Sequence, residues 1–217
     1  MILYYGADKK IIEPEFGAGS PSNDYGVGFY MTPDYEMAKI WASKFENGGY
    51  AMKYEVNLND SEILNIDGSD EESILKWAII LIKHRFDFTK LEKLAVEFVF
   101  LQKHFPISLD FCDFVIGFRA DDSYFSYMNS FLENDLSVEA LSKAMRLGKL
   151  GLQYVAISKK AHQKIKFISA ERIEHSDKYE KLQKEIKNEY LKIKSEDKIT
   201  NTFIRDIMRR YEKDVWF

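Results

Sequence analysis

The residues of this chain best suited to holding a flat ligand begin at Gly26. In Gly26-Val27-Gly28-Phe29-Tyr30 two glycines remove side chains just before two aromatic rings. Backbone can then approach a planar ligand closely, and a ring can stack on it. A second group lies at Gly117-Phe118-Arg119-Ala120-Asp121-Asp122, where one cation and two carboxylates leave an apolar run. Either Arg119 meets a ligand there, or Asp121 or Asp122 caps the next helix and pairs with it. Further on, Gly151–Ser158 reads as a strand bearing Gln153. Strand alternation turns it away from Leu152 and Tyr154. Taken locally, the Gly26 stretch also describes an ordinary strand-to-helix corner with a core tyrosine, which is the commoner case.

Other chemistries find little support. His84, His104, His162 and His175 are scattered without paired metal spacing, and the single Cys112 cannot build a zinc site. No Walker loop or Rossmann fingerprint occurs. Glycines 17, 19, 26 and 28 are too irregular for a phosphate cradle, and no Ser–His–acid order is legible.

The elements that must position these residues can be read in order. A strand over Gly28–Met31 runs into a helix with Thr32 as N-cap, Pro33 at the first helical position and Asp34 and Glu36 at the positive end of the dipole. Met37, Ile40 and Trp41 give that helix a buried face. Upstream, Ile2–Tyr5 reads as a strand and Glu15–Val27 as a polar loop kept irregular by Pro14 and Pro21. Downstream, Asn47-Gly48-Gly49 stops the helix, and strands follow at Tyr50–Asn57 and Glu62–Ile66. Ser69 is expected to cap a helix with its apolar body at Ile74–Ile82, and a second helix spans Thr89–Lys103. Phe111–Phe118 reads as a strand buried on both faces and broken by Asp113. Ser137 caps Val138–Leu147, and Lys166–Ile173 is the last strand. Strands and helices mix without regular alternation, which predicts an α+β fold.

The chain has 217 residues, 46% hydrophobic, and a net charge of −4. That size suits one domain, 1–175, with a helical extension over 176–217 carrying apolar stripes at Tyr179, Leu182, Ile186, Tyr190 and Ile193 and again over Ile199–Tyr211. The charge disfavours nucleic acid and anionic membranes. The opening MILYYGADKK lacks a signal-peptide layout, and no run reaches the roughly 18 apolar residues of a membrane helix. With a lone cysteine, a soluble protein of the reducing cytoplasm is expected.

Three separated stretches together resemble the ADP-ribosyltransferase superfamily, and within it a bacterial family of unknown function. Leu3-Tyr4-Tyr5-Gly6-Ala7 is similar to an opening strand that reads leucine-tyrosine-histidine-glycine-serine. Asp24-Tyr25-Gly26-Val27-Gly28-Phe29-Tyr30-Met31-Thr32 with the helix Ala38-Lys39-Ile40-Trp41-Ala42 is the nearest match. Asp113-Phe114-Val115-Ile116-Gly117, Ala120-Asp121-Asp122 and Gly148-Lys149-Leu150-Gly151-Leu152-Gln153 complete it.

The resemblance implies a split, bent β-core that grips NAD in a cleft. It assigns Tyr5 to a ribose, the Gly6 backbone to the nicotinamide amide and the Tyr30 ring to stacking on nicotinamide. Gln153 takes the third position, where glutamate is usual. Tyr5, Gly6, Ala7, Gly28, Phe29, Tyr30, Arg119 and Asp122 are the expected cofactor-binding residues, and Gln153, Tyr30 and Tyr5 the catalytic ones. A toxin or phage-defence effector that modifies a protein or nucleic acid, with an antitoxin partner, follows from the same resemblance. Two residues depart from the pattern: Tyr5 stands for a histidine, and Gln153 offers hydrogen bonds without charge. Weak catalysis or a silent nucleotide- or protein-binding module is therefore the alternative, and Gln153→Glu is expected to raise NAD hydrolysis.

Overall fold

The computed structural model describes residues 1–66, 68, 70–85, 94–120, 124–147 and 150–213, with backbone alone for 124–126 and 213. Asp67, Ser69, Thr89, Asp121, Asp122, Gly148 and Lys149 lie outside the described residues, as does the start of the expected Thr89–Lys103 helix.

The architecture is α+β, with two open sheets and no closed barrel among the described residues. The first sheet has the order β1(Ile2–Ala7), β3(Gly49–Val56), β7(Ile165–Ile173), antiparallel throughout. The second has the order β2(Phe29–Met31), β6(Leu152–Ala156), β5(Phe114–Phe118), β4(Ile63–Ile66), antiparallel except for the parallel β4–β5 pair. The sheets meet where Tyr4 and Thr32 exchange backbone hydrogen bonds of 2.8 and 2.9 Å.

Strand alternation sorts two cores. Leu3, Met52 and Tyr54 of the first sheet meet Phe29, Met31 and Phe114 of the second in a core between the sheets. The opposite face of the second sheet, including Val155, packs with the helices around Trp77, Leu75, Phe131 and Leu141. These come from α2(Glu71–Arg85), α4(Tyr124–Leu132) and α5(Val138–Ala144). Helix α1(Tyr35–Ser43) lies against β1 and β3. No helix among the described residues is long and apolar enough to cross a membrane.

Some element ends differ from the sequence reading. The N-cap of α1 is Asp34, whose Oδ1 accepts from the backbone of Glu36 at 2.9 Å and Met37 at 3.2 Å. Thr32 instead accepts from Asp34 N, one step earlier. A carboxylate offers a charged acceptor to the helix donors and so takes the cap. Strand β5 begins at Phe114, not Phe111, whose side chain is 87% exposed. Asp113 does not break the strand. It anchors its entrance, accepting from Glu62 N and Ser158 Oγ and pairing with Lys160.

The segment from 176 onward shares the helical core. Ile186 and Tyr190 of α7(Lys178–Ser195) and Ile204 and Ile207 of α8(Ile204–Lys213) are buried in it. The Tyr190 ring stacks on Tyr127 at 3.6 Å. The Asp197 carboxylate between the two helices accepts from Ser137 N at 2.8 Å and Ser137 Oγ at 2.6 Å, beside the start of α5.

Candidate functional site

Short β2 presents its residues to opposite sides, so Phe29 and Met31 enter the inter-sheet core while Tyr30 faces the helices. The Tyr30 hydroxyl donates to Gly26 O at 2.6 Å and accepts from Tyr25 N at 3.0 Å. This needs the left-handed turn at Gly26, φ 73°, where a side chain would also strike the His84 ring. Burial raises the Tyr30 pKa far above its ordinary value, so the hydroxyl stays a donor and the ring is pinned by its tip.

Gln153 follows from the same register. Tyr30 pairs with Val155, and Gln153 sits two residues along β6 on the same face, opposite Gly117 of β5. The side chain is 2% exposed. Nε2 donates to Asp24 Oδ2 at 2.9 Å and to Phe118 O at 3.4 Å. Both partners can only accept, so the amide has one orientation here, and Oε1 keeps no hydrogen-bond partner among the described residues.

Asp24 is the hub of this end. Its Oδ1 accepts from Arg85 Nη1 at 2.7 Å, and Oδ2 accepts from Ala120 N at 2.9 Å as well as from Gln153. The carboxylate is nearly inaccessible, at 6% exposure, and accepts three hydrogen bonds, at least one on each oxygen. It therefore fixes neighbours in place and is not placed to take a proton from a ligand.

Tyr5 and Gly6 come from β1. The Tyr5 ring rests on Phe29 with centroids 4.7 Å apart, and burial raises its pKa even though nearby Arg119 acts the other way. A Cβ on Gly6 would lie 2.1 Å from Ala38 O, so only glycine lets β1 pass this close to α1. The Arg119 guanidinium lies on the Trp41 ring, 3.7 Å from its centroid, in a cation–π contact.

These residues line one cleft of about 360 Å³ between β1, α1 and the helix-packed face of the second sheet. Tyr5, Gly6, Ala7, Tyr30, Arg119 and Gln153 all border it. Phe29 does not, because it turns into the inter-sheet core at 8% exposure. Gly28 serves a close approach of strands rather than of a ligand: a Cβ there would lie 2.7 Å from Val155 Cγ1. Asp122 lies outside the described residues.

The cleft also holds residues that the sequence reading gave no role in it: Asp24, Arg85, Trp41, Lys44 and Tyr179. Asp24 opens the Asp24–Thr32 stretch, so its position carried a signal. Arg85 lies 61 residues away, at the end of a helix, and no local spacing links the two. Trp41 and Tyr179 read as parts of apolar stripes, and such spacing cannot separate a core ring from one that also borders a cleft.

No curated protein and no solved structure matches the chain. The family described as Protein of unknown function (DUF3990) matches residues 1–167, which hold β1 through the start of β7 and every cleft residue named above except Tyr179. The chain belongs to that family.

Proposed function

We propose that this protein is an NAD-binding member of the ADP-ribosyltransferase superfamily that transfers ADP-ribose to a macromolecular acceptor in the bacterial cytoplasm. The observation that carries the reading is the convergence of Tyr5, Gly6, Tyr30 and Gln153 on one cleft from three strands distant in sequence. The residues present suit the ligand: a clamped ring for nicotinamide, glycine backbone beside it, and an unpartnered amide oxygen at its end.

Bound there, NAD supplies a glycosidic bond whose cleavage releases nicotinamide and leaves positive charge on the ribose. Tyr30 fixes the plane of the base, since its ring cannot swing while its hydroxyl is held at Gly26 and Tyr25. The Tyr5 phenol stays protonated near neutral pH and is available to hydrogen-bond a ribose hydroxyl. Gln153 Oε1 is the acceptor for a second ribose hydroxyl or an incoming nucleophile, and Asp24 holds it in aim. The amide dipole stabilises developing positive charge less than a carboxylate does, so slow turnover is expected. A toxin or phage-defence effector, checked by an antitoxin, is the biological role this reading supports.

One observation favours a second reading, a binding module without turnover. Asp24, a buried carboxylate bordering the cleft, is already bonded to Arg85, Ala120 and Gln153. Calorimetry with NAD, run beside an assay of nicotinamide release, separates the readings. Binding with release supports the transferase, and binding without release supports the module. Wild-type NAD affinity in a folded Tyr30→Ala variant overturns the site in both.

A further inference from the structure

We infer that Tyr179 and Lys44 form the subsite for the adenosine-phosphate half of the dinucleotide, a role that rests on the NAD reading above. Tyr179 borders the cleft from α7, beyond the residues 1–167 that the family shares. Lys44 Nζ lies between two aromatic rings, 5.1 Å from the Tyr179 centroid and 5.3 Å from that of Phe45. The start of the tail is tied to the end of α1 at this point. Ser176 N donates to Ser43 O at 3.0 Å, and His175 Nδ1 lies 3.1 Å from Phe45 O. One backbone bond and one side-chain contact thus hold the segments that carry the ring and the ammonium together.

The direction of the cleft assigns this end. Gln153 and Asp24, 2% and 6% exposed, mark its inner end beside Tyr30, whereas Lys44 is exposed. From there the end of β1 and the residue after it carry the wall from Tyr5 to Asp8, about 10 Å at strand rise. On the facing helix, Arg119 rests on Trp41, and Lys44 follows Trp41 by about one helical turn. A dinucleotide with its nicotinamide on Tyr30 therefore runs past Arg119, which suits a diphosphate, to Lys44 and Tyr179. At that end the chemistry is an ammonium for a phosphate oxygen and an aromatic face for a purine. Asp8 is an acceptor for a ribose hydroxyl at the same rim. The consequence is that the C-terminal helices select the dinucleotide over its nicotinamide half.

The test is calorimetry on the full chain with NAD and, separately, with nicotinamide mononucleotide. Tyr179→Ala is expected to weaken NAD about tenfold, at the low end of base stacking on an aromatic ring, and to leave the mononucleotide unchanged. Tyr179→Phe keeps the ring and should stay within about twofold of wild type. Lys44 is exposed, so Lys44→Met leaves the fold intact and should also weaken NAD alone, which decides the matter if Tyr179→Ala does not fold. Equal weakening of both ligands by Tyr179→Ala, or unchanged NAD affinity in both alanine and methionine variants, overturns the subsite while the NAD reading stands. A wild-type protein that binds neither ligand overturns both.

Discussion

Gln153 Nε2 sits 2.9 Å from Asp24 Oδ2, so a carboxylate 129 residues away dictates which atom of the amide faces the cleft. The relationship changes what a carboxylate at position 153 would do. In Gln153→Glu an oxygen replaces the nitrogen between two acceptors, Asp24 Oδ2 and Phe118 O. Charge repulsion and burial both push the new carboxyl upward in pKa. A carboxyl raised in the folded state stabilises less as pH climbs through its unfolded value, so the variant should be close to wild type near pH 4 and clearly weaker at pH 7. Denaturant melts at the two pH values check this. The gain in NAD hydrolysis expected from the sequence then requires Gln153→Glu with Asp24→Asn, which restores a donor against the new oxygen. A gain from the single change instead would mean that Asp24 does not set the orientation.

Removing Asp24 takes the carboxylate partner from Arg85 and the side-chain acceptor from the Ala120 amide at a nearly inaccessible position. Asp24→Ala should cost about 3 kcal/mol, as for breaking a buried ion pair from one side. It should also abolish NAD binding, because Gln153 loses its aim. Urea unfolding measures the first effect and calorimetry the second; a variant as stable as wild type would show that the hub is not structural.

Asp113 offers a pH test away from the cleft. Lys160 and Ser158 hydrogen bonds hold its carboxyl at about 2, below the ordinary 3.8. A depressed folded pKa means that the stabilisation is full above the unfolded value near about 4 and is lost as pH falls through about 2. The stability gap between wild type and Asp113→Asn should therefore be constant from neutral pH to about 5 and close below about 4. A gap that does not change with pH would remove the charge from the argument.

Tyr190 tests how far the tail belongs to the domain. It is 6% exposed and stacked on Tyr127, so Tyr190→Ala should cost about 3 kcal/mol, typical of deleting a buried ring. Thermal and urea melts should move as one transition, since α7 and α8 share the helical core with α2, α4 and α5. A separate early transition would instead make the tail an independent unit.

Local pattern made the centre of the molecule legible. The glycine–aromatic stretch into α1, and the alternation that puts Gln153 on the Tyr30 side of β6, are both short-range properties of the chain. The helix cap slipped by two residues because Thr32 and Asp34 are both good caps and only geometry ranks them. Phe29 and Gly28 read as ligand contacts because a bare pattern does not say which side of a three-residue strand faces the cleft. The Asp24–Arg85 pair and Tyr179 were beyond reach for a different reason. Each is joined to the cleft by a contact between distant segments, and pairing at that range leaves no periodic trace.

The position of Tyr179 also orders events in time. The seven strands among the described residues all precede α7, so a ribosome makes both sheets, and with them Tyr5, Tyr30 and Gln153, before the helix that adds Tyr179 to the cleft. Because α7 and α8 also supply Ile186, Tyr190, Ile204 and Ile207 to the shared core, a nascent chain lacking them exposes apolar surface as well as an unfinished cleft. The lining of the cleft is thus completed late in translation, and a chain interrupted after β7 would be one for chaperones and proteases to remove.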